Sequence, residues 1–178
     1  IERDLPERAP SYFMVDIQPG QIDGFKDILA ADDAVTEVEA APMLRGIITR
    51  INGRDATEVA GDHWVLRGDR GVTYSRTPPP GTDITAGEWW PPDYTGPNLI
   101  SFAAEEGAEL GLSLGDRLTV NILGRDTEAE IASFREVDFS NARIGFVMAM
   151  NPAALNGAPH TWIATVYAEP EAEARILR

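Results

Sequence analysis

The alternation of apolar and polar positions divides the 178-residue chain into short strands and a few helices. Tyr12 to Ile17 reads as a strand that Gln18, Pro19 and Gly20 end. Gln21 to Ala30 sets Ile22, Phe25, Ile28 and Leu29 on one helical face. Ala34 to Ala40 and Leu44 to Asn52 predict two further strands, the second closed by an Asn52-Gly53 hairpin turn, so the opening reads βαββ. Ala60 to Leu66 predicts a helical turn and Gly71 to Arg76 a strand. Phe102 to Leu110, rich in alanine and glutamate, predicts a short helix with acids in its first turn. Leu118, Val120 and Ile122 then alternate with Arg117, Thr119 and Asn121, the mark of a half-buried strand. Glu128 to Phe139, Ile144 to Met150 and Thr161 to Tyr167 predict three more strands. Ala153 to Gly157 reads as a helical turn with a glycine stop, and Glu169 to Arg178 as a closing helix with acids first and arginines last.

Gly111 to Gly115 matches the G-x-S-x-G nucleophile-elbow pattern with Ser113 at its centre. An elbow needs a strand running into a helix, so that the serine hydroxyl stands clear and the helix N-terminus faces the oxyanion. Here the order is helix, glycine stop, turn, strand. Gly111 fits the left-handed position after a helix, and Gly115-Asp116 fits a tight turn. Ser113 therefore reads as a turn residue. The hydrolase alternative requires Ser113 close to His63 or His160 and an acid.

Trp64, Trp89 and Trp90 lie in the loop-rich middle of the chain, between Ala60 and Pro92. Adjacent tryptophans on an extended chain point to opposite sides, so at most one of Trp89 and Trp90 packs inward. The other is free to cover a loop, touch a partner or lie near a membrane. Farther on, Arg135 shares a parity with Ile131, Ser133, Val137 and Phe139 and needs a carboxylate or carbonyl partner if buried. Asp138 falls on the opposite face of an unbroken strand and cannot simply pair with it.

Charge narrows the function classes. Twenty-nine acids against 15 bases give −14, and Lys26 is the sole lysine. So negative a surface repels phosphate backbones and anionic headgroups, which argues against nucleic-acid binding. With no cysteine there is no disulfide, thiolate nucleophile or thiolate-bound metal, and the two histidines have no metal-ligand spacing. No metal, nucleotide or other cofactor is expected, since no G-x-x-x-x-G-K-[ST] run occurs either. No apolar run approaches the ~18 residues that cross a bilayer. The chain opens on Ile1 and reads as a segment of something longer.

Tyr12 to Leu29 and Thr161 to Leu177 echo each other as strand, proline, helix units. A βαβ half at each end with a β-rich piece between suggests an α+β, split ferredoxin-like sheet interrupted by an insertion.

Several motifs then resemble a known family. They are Gly87 to Trp90, Asn98 to Ser101, Leu110 to Leu112, Leu114 to Asp116, Phe134 to Phe139, Asn151 to Leu155, and Pro159 to Trp162. In this order and spacing they resemble the large extracytoplasmic domain of YbbP-like permeases, in the MacB/FtsX-like group of ABC transporters. The match covers nearly the whole chain and is firmest from Gly87 to Val166. The resemblance implies a periplasmic domain of an inner-membrane protein, between its first two transmembrane helices. Residues 1–58 and 158–178 would form a porter-like βαβ part, with a β-rich, sabre-like part, 59–157, inserted. It implies ATP hydrolysis on a separate subunit, transmitted through the helices to this domain, which engages a hydrophobic cargo or a periplasmic protein.

The resemblance implies no catalytic residue. Gly111, Gly115 and Asp116 become turn chemistry, and Trp89 and Trp90 packing or partner contacts, a role that Trp64 is placed to share. Beside the hydrolase, a small-molecule-binding β-barrel module of double-psi type is the other alternative, because L-G-L-x-x-G-D before a strand occurs there too. That module requires a barrel without terminal βα units. The closing unit lacks a last strand before Arg178, which predicts a frayed tail from Glu171 and an edge-to-edge homodimer of the isolated segment.

Overall fold

A computed structural model describes residues 12–32, 35–79, 81–137, 145–155, 158 and 160–168. The fold is mixed α+β, mostly sheet with few helices. The elements in order are β1 (Tyr12–Ile17), α1 (Ile22–Ala30), β2 (Val35–Ile51), β3 (Arg54–Asp55), α2 (Ala56–Ala60), β4 (Arg70–Tyr74), β5 (Ile84–Gly87), β6 (Leu99–Ala103), α3 (Ala104–Glu109), β7 (Arg117–Ile122), β8 (Arg125–Arg135), β9 (Met148–Met150) and β10 (Thr161–Ala168). Single 3-10 turns occupy Trp64–Leu66 and Pro152–Leu155. The chain divides into two compact units, residues 1–42 with 138–145 and 160–178, and residues 43–137 with 146–159.

In the first unit β1 lies antiparallel to β10, with Phe13 opposite Thr165 and Met14 opposite Ala164. A register shift between Met14 and Ile17 coincides with a positive φ of 57° at Asp16, a bulge of the kind that bends a strand. The β10 side chains Ile163, Ala164, Val166 and Tyr167 are buried, as are Ile22 and Leu29 of α1. Lys26 on α1 stands 5.1 Å from the centre of the Trp162 ring, close enough for a cation–π contact.

The second unit is a closed ring of strands, in the cyclic order β2, β4, β9, β6, β8, β7 and back to β2. The β4–β9 and β6–β8 pairs are parallel and the other pairs antiparallel. Closure leaves the six ring strands themselves without a free edge. Inward positions fill the interior with Leu44, Ile48, Val72, Ile100, Phe102, Leu118, Val120, Ile131, Met148 and Met150. Two similar hairpin turns lie at the ends of the β2–β7 ladder that closes the ring. Ile51 to Asp55 and Ile122 to Asp126 both read I-x-G-R-D, and both turns have positive φ, 51° and 79° in one and 52° and 83° in the other. That is the backbone of a two-residue hairpin, and β2 and β7, which enter these turns, pair antiparallel with each other.

Several expectations need correction. The two strands predicted from Ala34 and Leu44 are one, so the opening is β1, α1 and a single long β2 rather than βαββ. Pro42 lies inside it, at the point where the strand leaves the first unit and before its ladder with β4 begins at Leu44. Phe102 belongs to a strand, β6, and the helix begins only at Ala104. The strand predicted from Glu128 starts earlier, at Arg125, and ends at Arg135. Phe139, Asp138 and the closing segment from Glu169 lie outside the described residues. A barrel is present, as the double-psi alternative requires, but so is the β1–α1 unit that it requires to be missing.

Candidate functional site

The turn after α3 is built from main-chain bonds. Leu112 N donates to Gly107 O at 2.8 Å and Gly111 N to Ala108 O at 3.1 Å, the paired bonds of a Schellman cap, with Gly111 at φ 74°. Gly115, at φ 89°, donates its N–H to Ile131 O at 2.9 Å, and Asp116 O accepts from Ile131 N at 2.8 Å, which docks the turn on β8. The Asp116 carboxylate takes the Ser113 N–H at 2.8 Å on one oxygen and the Asn52 side-chain amide at 3.2 Å on the other. Asn52 Oδ1 in turn accepts from Arg117 N at 2.9 Å, tying the β2 hairpin turn to the start of β7.

Ser113 is exposed on this turn, behind a helix C-terminus. His63 does not serve it. His63 Nε2 is 2.7 Å from Glu109 Oε2, and Nδ1 accepts the Val65 N–H at 3.1 Å. With Nδ1 as acceptor, the ring proton sits on Nε2 and points at Glu109. His160 belongs to the other unit, with its ring 6.2 Å from that of Trp162. Among the described residues no three histidine, aspartate or glutamate side chains gather where a metal ion could be held.

The tryptophans depart from the expected geometry. Gly87 ends β5, and Glu88, Trp89 and Trp90 are not in a strand. The two rings are not on opposite sides. Their centres lie 4.2 Å apart at 33°. Trp90 is buried and donates its indole N–H to Ser75 O at 2.9 Å, while Trp89 is half-buried and stacks on it. Trp64 is half-buried in its 3-10 turn, with the Arg70 guanidinium 5.2 Å from the ring centre.

Arg135 is buried on β8 and satisfied by carbonyls. Its Nη1 donates to Ser101 O at 2.7 Å and, at the long limit of 3.5 Å, to Val147 O, and its Nη2 donates to Phe146 O. Burial brings the guanidinium pKa down from the usual arginine range to about 10, partly opposed by the charge of Glu106. Ser133 and Ser101 exchange a buried hydroxyl bond at 2.9 Å beside it.

Glu106 is the polar residue that sequence reasoning missed. The α3 position that reads as an ordinary helix acid is buried, and one of its carboxylate oxygens has no hydrogen-bond partner. The one available signal was its place four residues after Phe102 and four before Leu110, on the apolar side of a very short helix. Burial raises its pKa above 4.5, with Glu105 and Glu109 pushing the same way and His63 opposing. The folded state then binds the Glu106 proton more tightly than the unfolded chain, so stability falls as pH rises above 4.5. Glu106→Gln should accordingly raise the urea midpoint over the parent at pH 7.5, with the gain shrinking toward pH 4. An equal gain at both pH values would show that the burial of charge is not its source.

No family model matches the chain. It is 29% identical over 164 residues to the protein described as "Uncharacterized ABC transporter permease YbbP" of Escherichia coli (strain K12). The alignment takes in 91% of this chain, which spans only 19% of the length of that permease. No helix among the described residues is long and apolar enough to cross a membrane. Over nearly its whole length, then, the chain is similar to a domain-sized segment of a YbbP-like ABC transporter permease, the resemblance that the motifs from Gly87 to Val166 carry.

Proposed function

We propose that the chain is the extracytoplasmic domain of an ABC transporter permease in an inner membrane. In this reading it engages a hydrophobic cargo or a periplasmic protein, and moves with the transmembrane helices when a separate subunit hydrolyses ATP. The observation that carries the reading is the 29% identity to a permease along 91% of the chain. The chain's own chemistry supports a role in binding and movement rather than catalysis. Among the described residues the Ser113 hydroxyl has no hydrogen-bonded base, and His63 and Arg135 are engaged in holding the barrel and its turns together. In this reading the first unit, which takes in residues 1–42, 138–145 and 160–178, belongs to a porter-like part. The barrel inserted between them corresponds to the sabre-like part. Two compact bodies on one chain suit a hinge movement of one against the other.

Leu123 gives the test. It sits at a hairpin tip, 73% exposed, in a segment without cysteine. In the full permease, freed of any other cysteine, Leu123→Cys should react with a membrane-impermeant maleimide in intact cells whose outer membrane has been permeabilised. Reaction only after the inner membrane is broken would place the domain in the cytoplasm and end the proposal.

A further inference from the structure

β5 pairs on one side with β8, and among the described residues no strand pairs with its other side. Thr85, Ala86 and Gly87 are exposed along it. A row of main-chain donors and acceptors left in this way is a template for another strand. Apolar side chains stand at its end. Leu114, 47% exposed, has its Cδ2 2.9 Å from the position a Cβ on Gly87 would take, and Trp89 follows two residues after Gly87. The turn of Leu112 to Asp116 and the Gly87–Trp90 stretch, far apart in sequence, thus make one surface.

The charges around this edge decide what fits it. Asp83 and Glu88 flank β5, and the Glu136 N–H donates to Asp83 O at 2.9 Å. All three carboxylates are exposed, and no ion pair among the described residues engages them. A second copy of the chain would bring the same carboxylates, and a net charge of −14, against them. An anionic lipid surface is disfavoured for the same reason. We infer that the free edge of β5 takes an extended segment of a partner protein, whose apolar side chains reach Leu114 and Trp89 and whose lysines or arginines meet Asp83, Glu88 and Glu136. The edge is four residues long, and its register on β8 shifts between Ile84 and Ala86. Few main-chain bonds are on offer, so the association is weak, with Kd on the order of 0.1 mM.

This deepens the reading of the domain as a partner-engaging part of a permease and rests on it. Three capped nine-residue peptides test it on the 178-residue chain at low salt. The first alternates valine and lysine, the second has glutamate for lysine, and the third is the first with alternate amides N-methylated. Backbone amide shifts in NMR should move at Thr85 to Glu88 and at Leu114 with the lysine peptide and not with the glutamate peptide. N-methylation removes main-chain donors without touching charge, and should weaken binding about tenfold. Leu114→Ser should weaken it several-fold while leaving near-ultraviolet circular dichroism unchanged. Equal binding of the N-methylated peptide would reduce the contact to charge alone and overturn strand addition. Shifts centred elsewhere, or no shift at millimolar lysine peptide, would overturn the inference outright. The maleimide result at Leu123 depends on none of these peptides, so the two ideas fail separately.

Discussion

Gly87→Ala is expected to lower the unfolding free energy by about 2–4 kcal/mol, read as a large drop in urea midpoint. Two costs combine at this position. The backbone sits at φ 74°, a conformation that costs an L-residue with a Cβ about 1–2 kcal/mol. The added Cβ would also stand 2.2 Å from Ala132 O and 3.0 Å from Ser133 Cα, both main-chain atoms of β8. The Leu114 side chain, at 2.9 Å, can swing aside, but a strand of the barrel wall cannot. Relief has to come from β5 lifting off β8, which gives up the Glu88 N–H to Ala132 O bond at 3.2 Å along with the ladder. Gly124→Ala isolates the first cost, because Gly124 has φ 83° and nothing within 4 Å of the same Cβ position. If the two variants melt at the same urea concentration, the close approach of β5 to β8 is not there.

Local pattern foretold what is locally caused. The β7 alternation is real, with Leu118, Val120 and Ile122 buried while Arg117 is exposed and Thr119 and Asn121 are half-covered. The glycines after α3 take the left-handed values that a helix stop and a tight turn require. What escaped was set by partners distant in sequence. β6 reads Leu99-Ile100-Ser101-Phe102-Ala103 with no alternation, because it is an interior strand between β8 and β9 and from Ile100 to Ala103 is buried on both faces. With no period to show, its last residues passed for the start of a helix. β2 read as two strands because Val35 and Val38 keep an imperfect period, and nothing local says that one strand runs on through Pro42. The closure itself joins Gly46 to Ile122 and Ile51 to Leu118, a choice of register that the alternation permits but does not select. The candidate surface was half legible. The Gly87–Trp90 and Leu110–Asp116 stretches stood out as motifs, but their adjacency, and the stacking of Trp89 on Trp90, depend on β5 lying against β8.

Arg135→Met should cost more than any ordinary surface change, about 3–5 kcal/mol. A buried charge can often be exchanged for an apolar side chain without loss, provided that its partners are exchanged too. Here that remedy is closed, because the partners are carbonyls of the chain itself. Ser101 O and Phe146 O each lose a charged donor, while Val147 O keeps the Ala103 N–H at 2.9 Å. Methionine fills much of the volume, so the loss comes from unsatisfied acceptors more than from a cavity. Arg135→Lys should fall between, since one ammonium can reach a single carbonyl group but does not span both as the guanidinium fork does. The electrostatics add a signature that packing does not. Glu106 already holds its proton above the usual carboxylate range, and Arg135 is the positive charge whose own pKa responds to it. Without that charge, ionising Glu106 becomes costlier still, so the deficit of Arg135→Met should widen as pH rises from 4 to 8. Adding Glu106→Gln should then restore more stability in the Arg135→Met background than it contributes to the parent. Additive urea midpoints in this double-mutant cycle, flat across pH, would mean that the two buried groups do not sense each other.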